Sequence, residues 1–126
     1  MLISSSFVFA QNAVGVARGP TPLGPYQKLR EPLMHSNYLF VGPGHCSVIC
    51  TGCNSTIASW KHPDADSADA ESEWLMIYHA WQIPRVGART DSRLLMVDEI
   101  VWKDRWPVMA SGTSSPSIGL VKPHLI

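Results

Sequence analysis

Residues 74–81 read Trp74-Leu75-Met76-Ile77-Tyr78-His79-Ala80-Trp81, and the fold class turns on whether they form a strand or a helix. Its first five residues are nearly all apolar, which predicts a strand covered on both sides and central to its sheet. A buried helix is the alternative for so short a run. The rest of the chain favours the strand, because no segment places apolar residues at i, i+3, i+4 and i+7 between helix start and stop signals.

Further strand-like stretches flank it at residues 2–9, 13–18, 45–51, 55–60 and 93–102, each rich in β-branched or aromatic residues and bounded by turn formers. Ten prolines and nine glycines against only 16% charged residues suit many short strands and turns better than long surface helices. With 126 residues, 45% of them hydrophobic, the chain has material for one core and one all-β domain.

Charge excludes two partner classes. Lys plus Arg is 10 and Asp plus Glu is 10, so there is no net field to draw in nucleic acid or an anionic membrane surface. Nothing approaches the roughly 18 consecutive apolar residues of a membrane-spanning helix. The opening run MLISSSFVFA has no basic residue before it, so it is read as a strand rather than a secretory signal.

Between the strands, residues 19–26, GPTPLGPY, carry three prolines and are expected to form a fixed, extended turn. Residues 61–73, KHPDADSADAESE, carry five carboxylates without EF-hand spacing or its turn glycine, and are expected to be a solvated surface hairpin. Residues 111–126 are rich in Ser, Pro and Gly and are set apart from 1–110 as a poorly ordered tail.

Cys46, Cys50 and Cys53 have the C-x3-C-x2-C spacing of a cluster-binding loop. A cluster needs three thiolates on a flexible loop, whereas Cys46 and Cys50 bracket a strand-like Ser47-Val48-Ile49. Small buried hydrophobes, one of them disulfide-paired, are the preferred reading.

Two histidines stand out. Gly42-Pro43-Gly44-His45 builds a rigid bend that delivers His45 at the start of a strand, either to a ligand or metal or to a backbone hydrogen bond. Tyr78-His79-Ala80-Trp81 closes another strand with aromatics around a second histidine, suited to stacking on a sugar or to capping the core. There is no G-x-S-x-G, P-loop or H-E-x-x-H pattern.

Taken in order, Val14-Gly15-Val16-Ala17-Arg18, Leu23-Gly24-Pro25-Tyr26, Gly42-Pro43-Gly44-His45, Tyr78-His79-Ala80 and the region of Trp102 and Trp106-Pro107 resemble the C-terminal part of glycoside hydrolase family 43, the arabinanase, arabinofuranosidase and β-xylosidase group. The resemblance spans residues 1–110. It implies a partial five-bladed β-propeller, about two blades of antiparallel strands, with a polysaccharide or oligosaccharide bound at one end of the central channel. It also implies hydrolysis of O-glycosyl bonds in arabinan or xylan with inversion, by an acid and a base held roughly 6.5 to 9.5 Å apart.

In the family, the base Asp, the second Asp and the acid Glu lie in earlier blades, which would precede Met1, so no catalytic residue is carried over and the chain alone is expected to be inactive. Asp98 and Glu99 do not replace them, since neighbours in a strand point to opposite faces. His45 resembles the family histidine that projects into the channel and helps hold a metal, usually calcium. Arg93 lies where the family often has an arginine near the sugar. Trp81 joins them from the residues themselves, as a strand-end aromatic able to stack on a sugar. Arg105 stands where a Gly often precedes Trp-Pro. Extracellular location and self-association through open propeller edges follow from the same resemblance. The alternative is a non-catalytic carbohydrate-binding or interaction remnant.

Overall fold

A computed structural model describes residues 12–51, 73–83, 85–86 and 93–118, and for residues 2–5 the backbone alone. Seven strands occur in it: β1 (Leu2–Ser5), β2 (Val14–Arg18), β3 (Gln27–Lys28), β4 (Phe40–Thr51), β5 (Glu73–Gln82), β6 (Arg93–Lys103) and β7 (Trp106–Met109). The described residues are thus all-β, without a helix, and no helix is long and apolar enough to cross a membrane. The expected strand at 55–60, most of the acidic segment 61–73 and residues 6–11, 53 and 119–126 lie outside the described residues.

Two antiparallel sheets form, one ordered β1-β2-β3 and one an up-and-down meander β4-β5-β6-β7. Residues 74–81 fall in β5, an inner strand of the meander, as their apolar run predicts. Even-numbered Met76, Tyr78 and Ala80 face a core shared with Val14 and Val16 of β2, Leu33 and Met34 of the loop between β3 and β4, Ile100 of β6 and Met109 of β7. This one core joins the sheets. The loop is stitched to β2 by Val14 N–H to Met34 C=O and Leu33 N–H to Val14 C=O, both 2.8 Å.

A second link is polar. Arg18 donates from Nε and Nη2 to the Gln27 side-chain oxygen at 3.1 and 3.0 Å and from Nη1 to the Asp104 carbonyl at 3.1 Å, with its guanidinium 4.0 Å above the Trp106 ring. It therefore ties β2 to the β6–β7 hairpin. That hairpin closes through two residues, Asp104 and Arg105, at φ 51° and 60°. Two-residue hairpins demand positive φ because only then does the turn match the strand twist. Arg105 occupies a position that a glycine fills without strain.

The structure corrects two expectations and adds a strand that none of the sequence stretches marks. Strand β4 starts at Phe40, not at His45, so the Gly-Pro-Gly bend is absorbed inside the strand. Strand β7 contains Pro107, whose missing N–H is tolerated because β7 is an edge of the described sheet. The first part of the tail is tied down: His35 N–H donates to Ser114 C=O at 2.9 Å, Asn37 Nδ2 to Pro116 C=O at 2.9 Å, and Pro116 is buried. In the 19–26 segment, Thr21 and Gly24 close a turn on each other, Gly24 has φ 87°, and the Tyr26 hydroxyl donates to the Pro22 carbonyl.

Candidate functional site

The face of the meander turned away from the core gathers the chemistry. In β5, odd-numbered residues point there, so His79 and Trp81 lie on one side while Tyr78 and Ala80 lie on the other. Across the ladder Trp81 faces Arg93 and His79 faces Leu95. Arg93 is thus directly opposite Trp81 and diagonal to His79, both within reach of a long side chain.

His45 arrives from β4 by a bulge. Val41 pairs with Trp81, Gly44 with His79 and Ser47 with Ile77, so Gly42 and Pro43 share one partner position and His45 and Cys46 share the next. Each extra residue turns on a positive φ, Gly42 at 63° and His45 at 52°. Glycine fits such a position freely. His45 does not, and it is held there with its ring stacked on that of His79, centroids 5.8 Å apart and planes 26° from parallel. Bulges bend the strand and re-aim a side chain, which is how a β4 residue comes over a β5 histidine.

Four side chains from three strands therefore form one cluster. Arg93 Nη1 lies 3.3 Å from His79 Nε2, and the Arg93 guanidinium carbon sits 5.0 Å from the centre of the Trp81 ring. A guanidinium can only donate, so Nε2 accepts and the imidazole proton resides on Nδ1. That nitrogen is buried and, among the described residues, has no hydrogen-bond partner. Burial, then the charge of Arg93, then His45 push the His79 pKa below its ordinary value. His79 is neutral in this setting, while His45 and Arg93 are exposed.

All three sequence-selected residues, His45, Trp81 and Arg93, fall in this cluster. Trp81 is only 7% exposed beneath Arg93, so it is a platform for the guanidinium. His79, part of the Tyr78-His79-Ala80 stretch, is the member of the cluster that sequence reasoning does not single out. The signal for it is its i, i+2 spacing from Trp81, which puts both on one strand face.

The remaining candidates separate. Asp98 is buried on the core side, where its Oδ2 accepts from the Tyr78 hydroxyl at 2.6 Å and from Ser117 N–H at 3.2 Å. Glu99, paired with Leu75, lies on the opposite face. Burial and Asp98 push the Tyr78 phenol far above its usual range. Cys46 is half-buried and its thiol is pushed up by burial, while Cys50 is disulfide-bonded. A disulfide sulfur is not a thiolate ligand, which removes Cys50 from any cluster loop in this state.

Calcium does not fit the His45 surroundings. It takes six to eight oxygen ligands, yet His45 meets an imidazole and, beyond it, a guanidinium. No group of three or more His, Cys, Asp or Glu side chains able to hold a metal occurs among the described residues. The fold and site define an all-β domain with a basic, aromatic-backed cluster on an open sheet face. No family model, curated protein or solved structure matches the chain.

Proposed function

We propose that the chain is a sugar-binding part of a glycoside hydrolase similar to family 43, acting on O-glycosyl bonds of arabinan- or xylan-type polysaccharides with inversion. The observation that carries the reading is the convergence of His45, Arg93 and Trp81 on one face. His45 comes from β4, far in the sequence from the paired Trp81 and Arg93, and the family resemblance points to His45 and Arg93 independently of the fold. The four-stranded meander packed on a second antiparallel sheet supports a propeller with about two blades in this chain. In this reading His45 and Arg93 face the sugar and Trp81 acts through Arg93.

The same reading makes this chain a binder and not by itself a catalyst. Asp98 is committed to Tyr78 and Ser117, and Glu99 lies on the other face, so these two carboxylates do not flank a bond as an inverting acid and base. The disulfide at Cys50 supports an oxidising, extracellular setting. Calorimetry with xylotriose and arabinotriose, beside turnover assays on aryl pentosides, tests the proposal. Binding without turnover is the expected result. Absence of binding by both sugars overturns the sugar reading, and turnover by the pure chain overturns its catalytic silence.

A further inference from the structure

We infer that Arg93, His45 and His79 form an oxyanion-binding site, which takes a carboxylate such as that of an acidic sugar, or a free phosphate. Three nitrogen-bearing side chains from three adjacent strands meet on an open face. Arg93 has five N–H donors. Its polar contact among the described residues is the single 3.3 Å bond to His79, and no carboxylate neutralises it there. The guanidinium carbon lies 5.0 Å from the centre of the Trp81 ring, so the ring backs the charge while donors beyond the His79 bond remain for a ligand.

The strained backbone points the same way. His45 keeps φ 52° at a bulge position that glycine would fill without cost, so the fold retains an imidazole at an expensive place. The imidazole serves no described salt bridge and touches His79 alone among the rings. A hard cation is disfavoured by the same cluster, and an anion is favoured, because the fixed charge nearest His45 and His79 is Arg93.

Binding is coupled to a proton. His79 is held neutral by its own burial, by Arg93 from β6 and by His45 from β4, with Leu95 opposite it and Glu99 four residues further along β6. An oxyanion that draws the Arg93 fork toward itself frees Nε2 to take a proton and donate. Affinity therefore rises as pH falls through the His79 titration, by up to tenfold per pH unit where one proton is taken up.

Where the ligand is an acidic sugar, the inference rests on the glycoside reading; where it is free phosphate, it stands without it. Calorimetry and imidazole NMR on the purified chain distinguish these, using glucuronate, inorganic phosphate and neutral glucose at fixed chloride, with Arg93→Gln and His45→Gly as variants. His45→Gly suits the bulge and preserves the fold, which a thermal melt checks. The expected result is binding of glucuronate or phosphate, not glucose, at least tenfold weaker in both variants, with His79 resonances shifting. Tighter glucuronate identifies an acidic sugar and tighter phosphate a free phosphate. Glucuronate carries the same charge across pH 5–8, its carboxyl titrating near about 3.5, so its pH series reports the protein. No anion binding at millimolar concentration, or wild-type affinity in both variants, overturns the site. Failure of neutral xylotriose with anion binding intact counts against the glycoside reading alone.

Discussion

Arg93 lies diagonally across the β5–β6 ladder from His79, with Nη1 3.3 Å from Nε2. Because the guanidinium only donates, this contact sets the tautomer of the imidazole and opposes its protonation. The His79 pKa in the folded chain is below its ordinary value, through burial first and Arg93 second. The unfolded chain therefore takes up the proton first as pH falls below about 6.5. The stability owed to neutral His79 is complete above that pH and is lost as pH falls toward the folded value. Urea midpoints are expected to drop between pH 7.5 and 5.5, less so in His79→Gln and Arg93→Gln. An equal drop in all three proteins would refute the assignment.

The buried Tyr78–Asp98 bond makes a second expectation. Tyr78→Phe removes a donor from a buried carboxylate and is expected to cost about 1–3 kcal/mol in chemical denaturation. The phenol is pushed far up, so the same variant should leave the amplitude of the phenolate titration unchanged up to about one unit above the ordinary tyrosine value near 10. A reduced amplitude would show that Tyr78 ionises readily in the folded chain.

Arg105→Gly is expected to stabilise the protein. Arg105 sits at φ 60° in the hairpin turn and is exposed. Relief of about 1–2 kcal/mol of left-handed strain, less about 0.4–1 kcal/mol of added unfolded-state freedom, leaves a gain of up to about 1.6 kcal/mol. A lower melting temperature in the glycine variant would contradict the turn geometry.

The open face of the meander carries exposed Ile49, Leu95, Val97 and Val101, with Leu95 at 78%. An exposed apolar stripe of this kind favours association. We expect the chain to self-associate in sedimentation at micromolar concentration, and Leu95→Lys with Val97→Lys to shift it toward the monomer. A wild-type monomer across that range would argue against association through this face.

Much of the fold was legible because burial leaves a mark on composition. The apolar run at 74–78 marks an inner strand, and the alternation of large and small residues at 14–18 marks one with two faces. Strand β7 was hidden by Pro107, which argues against a strand unless it is known to lie at an edge. The extent of β4 was hidden for a related reason. Gly42-Pro43-Gly44 reads as a break, yet pairing with β5 tolerates it as two bulges, since Gly42 and His45 both take up positive φ. The candidate site was partly legible: resemblance pointed to His45 and Arg93 and the strand-end aromatics to Trp81, while His79, which His45 and Arg93 both meet, stood in the Tyr78-His79-Ala80 motif without an assigned role.

An all-β chain of one core, neutral in charge and punctuated by Gly and Pro, follows from residue order alone, because strand propensity and apolar patterning are local properties. That His45, His79 and Arg93 meet with no described carboxylate among them is visible only once the strands are paired. That meeting depends on the register of β4, β5 and β6, where an added residue shifts which side chains share a face. It depends also on a bulge that places His45 over His79, a matter of backbone dihedrals that residue identity alone does not specify.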